Sequence, residues 1–236
     1  MRKTILLLTI INIILTGCGN ELDKKKSIMV FIDYTKSAAT FENYNSDRIK
    51  KIIERASLGL KNGDLLEVYP IHRFTETGIM GKTEAPILKG SLIDKQLHNK
   101  WIEDEVKVLI EYAFSYNFDD KSLAGTNIYP VINKIKERKS QGYDVAVYMF
   151  SDLIQEFDNE SFQILFNGDE DPIEYAVNKV SSFKLEESLK SVKTSIFIPG
   201  VPEGVADHEN ARQDVERFWK KFFTLCGSSV IIKDLG

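Results

Sequence analysis

The sequence predicts an α/β fold with a mostly parallel central sheet and helices on both of its faces. Short apolar runs, too brief for helices, alternate with stretches of helical period, as chains with crossover helices do. The clearest run is "SIMVFID", residues 27–33, apolar without alternation and therefore suited to a central strand covered on both sides. Two such runs end on an acid, at Asp33 and at Asp152. In this class of sheet, ligands bind beyond the carboxyl ends of the strands, so both acids are expected on one rim.

Before the first strand, the chain reads as targeting sequence. Arg2 and Lys3 precede "ILLLTIINIILTG", and Cys18 closes the run. Charge, order and length are those of a secretory signal, too short for an ordinary membrane span. The residues Leu15-Thr16-Gly17-Cys18 resemble the lipobox of bacterial lipoproteins. That resemblance implies cleavage after residue 17, acylation of Cys18, and attachment by lipid to a membrane of the cell envelope. The alternative is an uncleaved apolar anchor with an incidental cysteine. Gly19 is not the aspartate that holds many such proteins at an inner membrane, which points to an outer membrane where one exists. The expected division is 1–17 signal peptide, 18–27 lipidated tether and 28–236 folded domain. Lys24 to Lys26 read as a solvated spacer more readily than as a headgroup contact.

The chain left after cleavage, 219 residues, suffices for one well-buried domain. Its formal charge goes from −4 to −6 when Arg2 and Lys3 leave. No basic face or arginine run appears, which excludes nucleic acid as the expected partner. With Cys18 committed to lipid, Cys226 has no partner for a disulfide and reads as a small buried hydrophobe within "FWKKFFTLCG".

Further elements follow in order. Ile49, Ile52, Ile53, Ala56 and Leu60 recur at helical spacing and predict a helix over 42–60, stopped by Asn62-Gly63. "DLLEVYPIHR" is the next strand, bent or released from its pairing at Pro70. Residues 74–100 show broken periodicity and read as an edge hairpin or irregular excursion. Helices are expected at 101–116 and 128–139, then the strand "YDVAVYMFSD". A helix near 185–192, the strand "SIFIPG", a helix at 211–225 and the strand "SVIIKDL" complete the pattern.

Asp33-x-Thr35-x-Ser37 stands at the first strand exit, Gly125-Thr126 lies ahead of a helix, and Ser151-Asp152 ends a later strand. Together these resemble the metal-ion-dependent adhesion site of von Willebrand factor type A domains, over residues 28–236. The resemblance implies a doubly wound, Rossmann-like fold, with a short antiparallel edge strand where 74–100 lies. It implies a divalent cation, Mg2+ or Mn2+, held by Asp33, Thr35, Ser37, Thr126 and Asp152. It also implies a protein partner that supplies an Asp or Glu to that cation. Thr35 stands where the family usually has serine; the hydroxyl survives. Independently of the resemblance, magnesium wants six oxygen ligands and keeps waters, so hydroxyls and carboxylates suit it. Each motif alone is also a common cap: Asp, Thr and Ser crowd strand exits and helix starts.

Asp169, Glu170, Glu203 and Asp207 are candidates for a partner-binding rim, although an ordinary surface loop suits each stretch better. His72 and His98 lack companions at zinc spacing and carry no metal role. The expected function is a lipid-anchored binding module without catalysis. The first alternative is a phosphoaspartyl hydrolase, whose pattern resembles Asp-x-Asp-x-Thr. Here Thr35 replaces the second acid, and the general acid is missing. The other is a structural envelope factor with a degenerate metal site.

Overall fold

The computed structural model describes residues 24–33, 35, 46–76, 81–85, 90–114, 125–157, 160–199 and 210–235. At its centre, β1 (Lys26–Asp33) is buried from Ser27 onward. Met29 and Phe31 enter one core cluster, while Ile28, Val30 and Ile32 enter the other. Successive strand side chains point to opposite faces, so a strand covered on both sides must be apolar throughout.

After β1 come α1 (Ser46–Ser57), β2 (Leu65–Ile71), β3 (Gly81–Glu84) and α2 (Leu92–Phe114). They are followed by α3 (Pro130–Ser140), β4 (Asp144–Phe150), and the short pair β5 (Glu156–Phe157) and β6 (Glu160–Ser161). The chain continues through α4 (Gln163–Phe166), α5 (Pro172–Ser182), β7 (Lys193–Ile198), α6 (Ala211–Leu225) and β8 (Ser229–Asp234). The main sheet has the order β3-β2-β1-β4-β7-β8. Every neighbouring pair in it is parallel except β2 with β3. This is the expected α/β, Rossmann-like, doubly wound architecture, with the short antiparallel edge strand at β3. Strand order reverses between β1 and β4, which opens a crevice at their carboxyl ends. Helices α1 and α2 cover one face; α3, α5 and α6 cover the other with an aromatic cluster around Trp219. Among the described residues, no helix is long and apolar enough to cross a membrane.

Several boundaries differ from the sequence reading. Helix α2 begins at Leu92, not near Trp101, because Ser91 and Asp94 form a capping box: the Asp94 amide donates to Ser91 Oγ at 2.9 Å and Ser91 Oγ donates to Asp94 Oδ2 at 2.6 Å. Its first turns expose Leu92, Ile93 and Leu97, so no apolar stripe announces them. The helix expected at 185–192 is a run of turns, with Lys184, Glu187 and Ser191 at positive φ. The helix stands earlier, as α5, where Asp171 accepts from the amides of Ile173 and Glu174 and Pro172 begins the first turn. Pro70 does not end its strand. Pairing with β1 runs on through it to Ile71.

Candidate metal centre at the carboxyl end of the sheet

Asp33 ends β1 with its side chain fully buried. Its Oδ1 accepts from the Thr35 amide at 2.9 Å and from Thr35 Oγ1 at 2.6 Å. Its Oδ2 accepts from Ser151 Oγ at 2.6 Å. These donors are neutral hydroxyls and an amide. Burial raises the carboxyl above its ordinary range, and the hydrogen bonds from Ser151 and Thr35 oppose that rise. The bond from Ser151 also joins the exit of β1 to the exit of β4, across the crevice where the strand order reverses.

The β4 exit is shaped tightly. Ser151 Oγ accepts from the Leu153 amide at 2.9 Å, and Asp152 Oδ1 accepts from the Ile154 amide at 3.0 Å. Between them Leu153 takes a left-handed φ of 66°, unusual for a branched side chain. It is held there by complete burial and by Trp219, whose indole donates to the Leu153 carbonyl at 2.7 Å. The backbone that presents Asp152 thus depends on α6, far along the chain.

The third arm is docked by backbone. Thr126 and Glu156 exchange both amide hydrogen bonds at 2.9 Å. Gly125 turns into this bridge at a φ of 102°, and a Cβ there would stand 2.8 Å from the Glu156 carbonyl oxygen. Only glycine fits. Gln155, almost fully buried, accepts from the Ile128 amide at 2.8 Å and so clamps the same two segments. Helix α3 begins at Pro130, its cap residue is Tyr129 and no side chain caps it, so Thr126 is not a helix cap. Asp152, in contrast, does close a local turn, as the simpler reading expected.

Asp33, Thr35, Thr126 and Asp152 are therefore all buried, and the loops bearing Asp33 and Thr126 are each tied to the segment that follows β4. Among the described residues, no three His, Cys, Asp or Glu side chains gather as a metal cluster. A cation here would lean on hydroxyl oxygens, and the two acids with neighbouring hydroxyls suit a small hard ion. Ser37, Glu203, Asp207 and Cys18 lie outside the described residues. Asp169 and Glu170 sit in the turn ahead of α5, where Asp171 is committed to capping that helix and to Arg217 at 3.3 Å. His72 is buried, with Nδ1 accepting the Phe74 amide at 2.8 Å, and His98 contacts the Leu60 carbonyl at 2.8 Å; both are used structurally. Sequence reasoning included Ser151 in the motif without giving it a role, and did not assign Gln155 or Trp219 to the site. Ser151 was legible as a hydroxyl at a strand exit; the other two carry no local signal.

No family model and no curated protein matches this sequence. Among solved structures, it is similar to the human COPII-coat protein Sec24c, with 14% identity and a TM-score of 0.48 over 92% of this chain and 30% of that one. It is similar to a von Willebrand factor type A protein from Catenulispora acidiphila, with 10% identity and a TM-score of 0.44 over 89% and 39%. Manganese-loaded TRAP protein from Plasmodium vivax gives 13% identity and a TM-score of 0.39 over 81% and 62%. The chain spans less than two thirds of each.

Proposed function

We propose that this protein is a lipid-anchored bacterial envelope module that grips a protein partner through a divalent cation at the carboxyl end of the sheet. Asp33, Thr35, Ser37, Thr126 and Asp152 are the proposed holders of the ion, with Ser151 positioning Asp33. The single observation that carries the reading is the hydrogen bond from Ser151 to Asp33, which joins two acid-bearing strand exits. Hydroxyl and carboxylate oxygens gathered at one buried point are the ligands a small hard cation takes, and a cation there offsets the cost of burying the carboxylate. The ion would supply a Lewis-acidic position that an Asp or Glu of the partner fills.

The protein acts by binding and not by turnover: Thr35 stands where a phosphoaspartyl hydrolase has its second acid. Cys18 carries the lipid, and the envelope is its location. Calorimetric titration of magnesium and of manganese into the wild type and into Asp152→Ala tests the cation. Heat of binding in the wild type that the variant loses is the expected result. Equal titrations in both would remove Asp152 from the site.

A further inference from the structure

The opposite end of the sheet carries its own pattern. Two adjoining grooves flank the start of β1. One is lined by Lys24, Lys25, Lys26 and Lys61 with Asp64 and Asp144; the other by Lys24, Lys139 and Lys190 with Asp144. Glu187 is close enough to act on the Lys139 charge. Six lysines thus face three acids, on a chain whose total formal charge is −4.

Those lysines come from four separate segments, and tertiary structure alone assembles them. Lys24 and Lys25 enter β1, Lys61 stands in the α1–β2 turn, Lys139 closes α3, and Lys190 precedes β7. The acids among them are partly engaged. Asp64 accepts from the amides of Lys26 at 2.7 Å and Lys61 at 2.6 Å, and is buried. Lys24, Lys25, Lys61 and Lys190 are exposed. Lys25 lies across Gly63, its Nζ within 2.7 Å of where a Cβ would stand.

We infer that this basic foot rests on an anionic lipid surface, presenting the metal end outward; the inference builds on the lipid-anchor reading. Geometry limits how far the foot can stray. Lys24 lies six residues beyond Cys18. At about 3.5 Å per extended residue, such a tether reaches no more than about 20 Å. A lysine held at an anionic membrane strengthens attachment about fivefold, within a screening length of about 8 Å at physiological salt. The reading of Lys24 to Lys26 as a plain spacer therefore changes: with Lys61, Lys139 and Lys190 they form one folded surface.

The test reconstitutes the full acylated chain with vesicles of phosphatidylcholine alone, or of equimolar phosphatidylcholine and phosphatidylglycerol. An amine-reactive label is applied, each lysine is read by mass spectrometry, and flotation reports attachment. The expected result is flotation with both vesicles, and several-fold slower labelling of Lys61 and Lys190 on the anionic ones only. That protection disappears at about 1 M salt, where the screening length is about 3 Å. Flotation with both and equal labelling overturns the foot and leaves the anchor standing. Flotation with anionic vesicles only supports the foot and overturns the anchor. Flotation with neither overturns both. Equal protection by inorganic phosphate without vesicles assigns the lysines to a soluble anion and overturns the lipid surface.

Discussion

Two fully buried carboxylates, Glu67 on β2 and Asp33 on β1, solve the same problem differently. Glu67 is gripped bidentately by Arg138, with both bonds at 2.6 Å, and accepts further from the Tyr69 hydroxyl at 3.1 Å and Ser27 at 3.3 Å. It pairs in register with Met29, nearer the foot of the sheet. Asp33 pairs with Ile71 at the carboxyl end and accepts from Thr35 and Ser151. Glu67 is held by a resident arginine. The other is surrounded by the ligand oxygens that a hard cation needs. A buried charge with a resident arginine locks the fold; a buried charge among hydroxyls suits a site.

The comparison breaks most visibly at Arg138. Arg138→Met leaves Glu67 buried without its cation and should cost about 3–5 kcal/mol in denaturant unfolding. The double variant with Glu67→Gln should recover most of that. A loss below about 1 kcal/mol would mean that the pair is no lock. Next in size is Trp219→Phe, which keeps an aromatic ring in the core but leaves a small cavity and strands the Leu153 carbonyl. We expect a loss of about 1–3 kcal/mol, together with weaker manganese binding because the Asp152 turn loses its brace.

At the other carboxylate the sign should reverse. Asp33→Asn keeps the shape, removes the desolvated charge, and should raise the melting temperature of the metal-free protein at neutral pH while abolishing manganese binding. A lower melting temperature would show that the hydrogen bonds to Asp33 outweigh its burial. Ser151→Ala sharpens the point: it should weaken manganese binding about ten- to a hundredfold, as loss of a positioning group does, with the far-ultraviolet spectrum unchanged.

A smaller effect is expected from His72, beside the carboxyl end. Burial lowers its pKa, and its Nδ1 accepts from Phe74. Its contribution is complete above the ordinary value of 6.5 and is lost as pH falls through the lowered one. Thermal melts from pH 7 to about pH 5 should slope downward. The slope should flatten in His72→Asn, whose amide oxygen can take the same bond. Least affected should be Lys61→Gln at the foot, within about 0.5 kcal/mol of the wild type in stability.

Where the sequence reading erred, the failures have physical causes. The first turns of α2 put Leu92, Ile93 and Leu97 toward solvent, so hydrophobic period gave no signal there. The cap at Ser91 and Asp94 was nonetheless present in the letters, as was Asp171-Pro172 at the head of α5. Caps outperform periodicity where a helix packs only part of its length. The run 185–192 has the apolar spacing of a helix because Leu185, Leu189 and Val192 are all core residues, yet its backbone turns three times into positive φ between 184 and 191.

By itself the sequence determined the fold class, because a strand buried on both faces has to be apolar throughout, and "SIMVFID" can be little else. It also determined that Asp33 and Asp152 lie at the same end, since parallel strands share a direction. Tertiary structure decided the rest. That Ser151 holds Asp33, that Trp219 braces Leu153, that Glu67 meets Arg138 and that six lysines share one foot all join residues distant in sequence. No local propensity encodes such pairings; they exist only once the sheet has set its strands side by side.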